Sequence, residues 1–300
     1  MSTTPAPTSA TGAGAPVAPR TDGFGVRLAA AMADAGPVCV GIDPHASLLT
    51  RWGLPVDASG AREMGLRVVE EVAGSAAALK PQSAFFEVFG PEGVAALQEV
   101  LLAARSAGIL TVLDVKRGDI GTTMDAYART HLAGDSPMPA DAITVSPYLG
   151  PDSLSPTVEL ARQHGRGVFA LALTSNPEGG RLQHVGGAGA SVAGTVVDWA
   201  AATNAATGET PGPVGLVVGA TIGSAVRDLG VDLSAAGGVM LAPGIGAQGA
   251  GAAELRDVFG DARDRVLASA SRSVLGAGPE RGAVRAAARA TVDEVRAALA

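Results

Sequence analysis

The chain has 300 residues, of which 47% are hydrophobic and 17% charged, and its formal net charge is −7. That length admits one large domain or two small ones with ample material for a core, and the acidic balance excludes an extended nucleic-acid surface while leaving room for a local anion pocket. The single cysteine, Cys39, rules out an intrachain disulfide or a cysteine-based zinc site, and the four histidines (His45, His131, His164 and His184) lack metal-ligand spacing and read as surface or capping residues.

Residues 1–22 read as a disordered low-complexity tail. Met1–Pro19 is almost entirely Ala, Ser, Thr, Pro and Gly and lacks the basic start and apolar centre of a signal peptide. No membrane helix is expected, because the longest uncharged stretch is broken by glycines and Pro243. A cytoplasmic location follows as the expectation. Residues 23–300 are read as one domain.

Within that domain a short amphipathic helix, Phe24–Ala35, ends at Gly36-Pro37. Apolar β-like runs then alternate with helical patterns. The expected strands are Val38–Ile42, Leu79–Phe86, Leu110–Val115, Ala142–Val145, Gly167–Leu173, Val214–Val218, Val239–Ala242 and Arg265–Ser269. The expected helices between and after them are Arg62–Ala78, Gly93–Ala107, Thr123–Leu132, Ser155–His164, Ala190–Thr203, Ser224–Leu229, Ala252–Phe259 and Ala283–Leu299. Eight strand–helix units point to an α/β fold of the (β/α)8 TIM-barrel type. A doubly wound open sheet shares the alternation, but the count favours closure.

Polar residues gather where the strands end. Asp43 follows the first strand and Lys80 lies on the second; Asp114, Lys116 and Asp119 mark the third. Ser175 follows the fifth, Gln248 sits in the glycine-rich loop after the seventh, and Arg272 follows the eighth. Any one of them could be a turn or a cap. Their joint placement on one rim is the face where barrel enzymes build sites, and a glycine loop paired with an arginine after strands seven and eight suits a phosphate.

The organising stretch is Leu110-Thr-Val-Leu-Asp-Val-Lys-Arg-Gly-Asp-Ile-Gly-Thr-Thr123. Strand alternation puts Asp114 and Lys116 on one face, and Asp119 falls in the following loop. Carboxylates and an ammonium at a buried strand end are costly unless they meet one another. In isolation, D-x-K-x-x-D fits a salt-bridged strand end as well as a chemical site.

From about Phe24 onward the chain resembles the orotidine 5'-phosphate decarboxylase family in its long-chain bacterial form. The resemblance rests on Leu113-Asp-Val-Lys-Arg-Gly-Asp-Ile-Gly-Thr-Thr123, supported in order by Val40-Gly-Ile-Asp-Pro44, Lys80-Pro-Gln-Ser-Ala-Phe-Phe-Glu87, Leu173-Thr-Ser-Asn-Pro177 and Ala242-Pro-Gly-Ile-Gly-Ala-Gln248. It implies decarboxylation of orotidine 5'-monophosphate to uridine 5'-monophosphate, the last step of de novo pyrimidine nucleotide synthesis, without cofactor or metal. It implies an alternating array of Lys80, Asp114, Lys116 and Asp119, with Lys116 as proton donor. Asp119 and Thr123 would come from the neighbouring subunit of a homodimer. Asp43 and Thr123 would bind the ribose, Ser175 the pyrimidine, and Gln248 and Arg272 the phosphate.

Chemically, loss of CO2 leaves a carbanion that the ring cannot delocalise, so fixed charge must stabilise it. Two rivals share part of the pattern. Sugar-phosphate decarboxylases and hexulose-phosphate synthases use a similar strand with Mg2+, but Lys80 would repel a divalent ion. A barrel that only binds a phosphorylated ligand has no evident need for alternating buried charge.

Overall fold

The computed structural model describes residues 22–245 and 249–300. Eight parallel strands close a barrel in sequence order: β1 (Val38–Ile42), β2 (Ala78–Pro81), β3 (Leu110–Arg117), β4 (Ala142–Val145), β5 (Gly167–Leu173), β6 (Val214–Val218), β7 (Met240–Pro243) and β8 (Val266–Ala270). Closure is made by β1 beside β8, with Val38 opposite Ala268 and Val40 opposite Ala270. The barrel expected from the alternation is the one observed, and the open sheet is excluded.

Two apolar layers follow from the period of two along each strand. Val38, Val40 and Ile42 on β1, with Leu113, Ile143, Leu216 and Met240, join the larger core beneath the helices. Cys39, Ala78, Val112, Ala142, Phe169, Val217, Leu241 and Leu267 form a second cluster that fills the barrel interior. Burial pushes the Cys39 thiol up to about 12, as suits an inert structural cysteine.

The bottom of the barrel, at the amino ends of the strands, is closed by the helix Phe24–Ala35. Its buried Phe24, Leu28 and Met32 lie on one face and join the interior cluster. Phe24 meets Phe169 edge-on with ring centroids 5.9 Å apart. Two glycines make that contact possible. A Cβ on Gly167 would lie 2.2 Å from the Phe24 ring, and one on Gly215 would lie 2.4 Å from the Phe169 ring. Arg27 of the same helix pairs with Asp141 at 3.2 Å and donates to the Gly165 carbonyl at 2.6 Å. Asp141 also accepts the Thr111 amide at 3.0 Å, so both members of the ion pair are tied to the backbone as well as to each other.

The outer helices bury what their sequences predict. In Ala58–Val72, capped by the Asp57 carboxylate on the Gly60 amide at 3.0 Å, the buried Ala61, Met64, Gly65, Val68, Val69 and Val72 recur at three- and four-residue intervals. The helix Ala283–Leu299 does the same with Val284, Ala288, Thr291, Val292 and Val295.

The structure corrects several sequence expectations. The helix assigned to Arg62–Ala78 is Ala58–Val72, and β2 starts at Ala78. β2 stops at Pro81, and the aromatic run after it folds as a short helix, Ala84–Glu87. A short apolar run is compatible with either element, and Pro81 marks the strand end. β3 runs two residues further than expected, to Arg117. His131 is not a surface residue: it is 5% exposed, its ring nitrogen lies 3.3 Å from the Met138 carbonyl, and burial lowers it to about 4.

Candidate active site

Following the interior positions upward leads from apolar to polar residues on adjacent strands. Ala78 gives way to Lys80, Val112 to Asp114, and Ala142 to Thr144, while Cys39 and Gly41 lead to Asp43 just beyond β1. The same alternation that fills the barrel therefore sets charge at its upper mouth.

Asp114 is the hub. One carboxylate oxygen meets the Lys116 ammonium at 2.5 Å, and the other meets the Lys80 ammonium at 3.2 Å. Gln82 Nε2 donates to the second oxygen at 3.0 Å, and the Thr144 hydroxyl donates to the first at 2.8 Å. Lys80 and Asp114 are each 7% exposed. Burial pushes the Lys80 ammonium down, but Asp114 and then Asp43 pull harder, leaving it above its ordinary value. Burial likewise opposes the charge of Asp114, and Lys80, Lys116 and the Thr144 hydroxyl outweigh it, leaving the carboxyl below its ordinary value. The Lys116 side chain is 48% exposed, so it reaches from the buried hub into solvent. An open cavity of about 360 Å3 lies there, with Gln82, Phe85, Asp114, Lys116 and Arg117 in its wall.

Lys116 does not sit on a regular strand. Its φ is +44°, the only positive φ outside glycine among the described residues. The β3–β4 register shifts at this point: Leu113 faces Ile143 and Arg117 faces Val145, so three residues of β3 span what Thr144 alone spans on β4. Simple alternation put Asp114 and Lys116 side by side; the contact exists, but through a bulge. Arg117 anchors the far side of the bulge. It pairs with Glu87 at 3.2 Å and lies 5.1 Å from the centre of the Tyr127 ring, while Ser83 donates to Glu87 at 2.5 Å.

None of the other predicted residues that the structure describes bonds to this centre. Asp43 Oδ1 is buried without a hydrogen-bond partner, which suits a donor hydroxyl. Asp119 accepts the neighbouring Ile120 amide at 2.8 Å and makes no ion pair with Lys116 of the same chain. Thr123 is exposed in the first turn of the helix Gly121–Leu132. Ser175 is exposed beside Gly219 at the end of β6. Arg272 is exposed at the start of the helix Arg272–Leu275. Gln248 lies outside the described residues. Sequence reasoning missed Gln82 and Thr144 as partners of Asp114. Gln82 stood in the quoted motif, but only the strand register reveals Thr144.

Among the described residues, no group of three or more His, Cys, Asp or Glu side chains could hold a metal ion, and no helix is long and apolar enough to cross a membrane.

Residues 36–287 match the family model described as orotidine 5'-phosphate decarboxylase / HUMPS family. The orotidine 5'-phosphate decarboxylase of Streptomyces coelicolor is 54% identical over 279 residues, covering 92% of this chain and 98% of the relative. That of Salinispora arenicola is 53% identical over 280 residues, covering 93% and 99%. A solved structure from Streptomyces avermitilis, assigned the same name, superposes with a TM-score of 0.86 at 53% identity, covering 93% of this chain and 96% of that one. The OMP decarboxylase of Leishmania donovani gives 0.73 at 33% identity, covering 92% and 98%.

Proposed function

The chain belongs to the orotidine 5'-phosphate decarboxylase / HUMPS family, and from that membership we propose that it converts orotidine 5'-monophosphate to uridine 5'-monophosphate and CO2. The observation that carries the reading is the Lys80–Asp114–Lys116 chain at the barrel mouth, with one ammonium buried and the other reaching into an open cavity.

In this mechanism the C6–carboxylate bond breaks and its electron pair stays on C6. The Lys116 ammonium faces the developing carbanion, stabilises it by fixed charge, and then delivers a proton to it. Asp114 holds Lys116 from below and is itself held by Lys80, Gln82 and Thr144. No electron-sink cofactor is required. Asp43 takes a ribose hydroxyl, Ser175 the pyrimidine, and Gln248 with Arg272 the phosphate. Binding energy from that remote phosphate is available to the transition state.

The proposed unit is a cytoplasmic homodimer. Asp119 and Thr123 of each chain complete the other's site, Asp119 extending the array. This reading is supported by the lack of an ion pair to Asp119 among the described residues of its own chain and by the exposed apolar Ile120, Tyr148 and Leu149 on the same rim. Mixing a Lys116→Ala chain with an Asp119→Asn chain should restore activity that neither has alone. A fully active monomer would reject the sharing.

The family description also includes HUMPS, for which a metal-assisted reaction on a sugar phosphate is the competing reading. The buried ammonium of Lys80 argues against a divalent ion at this mouth. The discriminating assay follows ultraviolet absorbance with orotidine 5'-monophosphate, with and without EDTA. Turnover that survives EDTA is expected; no turnover by folded protein, with activity on a sugar phosphate and Mg2+, would overturn the proposal.

A further inference from the structure

We propose that Thr144 is a positioning residue for the proton donor, holding Lys116 by its backbone and Asp114 by its side chain through one hydroxyl. This rests on the decarboxylase reading above and deepens it.

The inference starts from the bulge. With three residues of β3 spanning the place of one on β4, the Lys116 amide cannot bond to a facing carbonyl in the regular ladder. It donates instead to the Thr144 hydroxyl oxygen, at 2.9 Å. The same hydroxyl spends its single proton on Asp114 Oδ1, at 2.8 Å. Asp114 Oδ1 is also the oxygen that meets the Lys116 ammonium at 2.5 Å. The contacts close a ring: Lys116 backbone to Thr144, Thr144 to Asp114, Asp114 to the Lys116 side chain.

That ring answers a conformational problem. A lysine at a φ of +44° is held against its own preference, and such residues persist only where their surroundings over-determine them. Thr144 is 1% exposed on the rigid strand β4, so its hydroxyl is a fixed post. On the other side Ser146 donates its amide to the Arg117 carbonyl at 2.8 Å, which resumes the ladder beyond the bulge. Thr144 is therefore the one β4 side chain that reaches across the irregular gap. Valine fits the same space but can neither accept the amide nor donate to the carboxylate. Serine can do both.

The test compares Thr144→Val and Thr144→Ser with the parent on orotidine 5'-monophosphate, reading kcat, KM and pH profile separately. A parent that turns over establishes the underlying reaction first; a parent without turnover rejects that reading rather than this one. Given turnover, Thr144→Val should lower kcat by about 10- to 100-fold, the cost of a misplaced reacting group, with KM within about threefold. Thr144→Ser should recover most of the loss. The acid limb of kcat should move to higher pH in Thr144→Val, because Asp114 loses a donor while still facing Lys80, Lys116 and Gln82. A merely structural threonine would lower thermal stability and leave the kcat of the folded fraction and its pH profile unchanged. That result, or serine failing to rescue, would overturn the proposal.

Discussion

The two ends of this barrel solve the same problem in opposite ways. At the bottom, one arginine meets one carboxylate, Arg27 with Asp141, and each also bonds to the backbone, beside a plug built on Phe24 and Phe169. At the top, two ammonium groups share one carboxylate, Asp43 keeps a buried oxygen without a partner, and Lys116 occupies a backbone conformation it disfavours. One end is arranged for stability. The other accepts desolvated charge and strain, as sites held ready for a ligand do.

The contrast can be tested by asking which variants alter activity and which alter stability. Lys116→Ala should produce the largest effect, lowering turnover by about 10⁴-fold, equivalent to about 5.5 kcal/mol in the barrier, with a melting temperature near the parent's. Near-normal turnover would remove Lys116 from the chemistry. Phe24→Ala should do the reverse, costing about 3–5 kcal/mol of stability in denaturant titration while kcat of the folded enzyme stays within about threefold. A large loss of kcat there would show that the ends are not independent.

Titration separates the ends further. The folded-state value of His131, about 4, lies below its ordinary 6.5, so the unfolded chain binds the extra proton between those values. Stability is then lost as pH falls from 6.5 towards 4, by about 3 kcal/mol in total, and His131→Gln should flatten that slope in pH-dependent unfolding. The array behaves otherwise. Lys80 is raised above 10.5 and Asp114 lowered below 3.8, so the pair contributes fully between those values. Its contribution fades only as pH rises through the folded value of Lys80 or falls through that of Asp114.

A smaller effect is expected when the charges are replaced together. Lys80→Met combined with Asp114→Leu should leave an inactive protein whose stability equals the parent's or exceeds it by about 1–4 kcal/mol. Marked destabilisation would mean that the array also holds the barrel together. Smallest of all, Lys116→Gly should be about 1 kcal/mol more stable than Lys116→Ala, because glycine accepts the positive φ. Equal melting temperatures would argue that the bulge relaxes once the lysine is gone.

How far the sequence discloses all this depends on range. The barrel was legible because eight apolar runs alternate with helical periods, and the mouth was legible because Asp114, Lys116 and Asp119 lie within one short stretch. The aromatic run Ala84–Glu87 was misread because four apolar and polar residues after a proline carry no decisive period. Thr144 looked like one more β-branched residue in Ala142–Val145, and its meaning appears only once β4 is set beside the bulge in β3. The Arg27–Asp141 pair joins positions 114 apart in sequence, and no local pattern announces it. The burial of His131 likewise depends on the Ala133–Ala140 segment folding back over it, where the Ala140 amide meets its carbonyl at 3.1 Å, and no local pattern separates it from a surface or capping histidine.

The pairing of β1 with β8 has a consequence for how the chain is made. Val38 must wait for Ala268, and at ribosomal speeds of about 5–20 residues per second that interval lasts roughly 10–50 seconds. During synthesis the apolar β1 stands as an unclosed edge, open to the wrong neighbour. Slow translation or a shortage of chaperones should therefore damage yield through this one seam, long before the stability of the finished barrel becomes relevant.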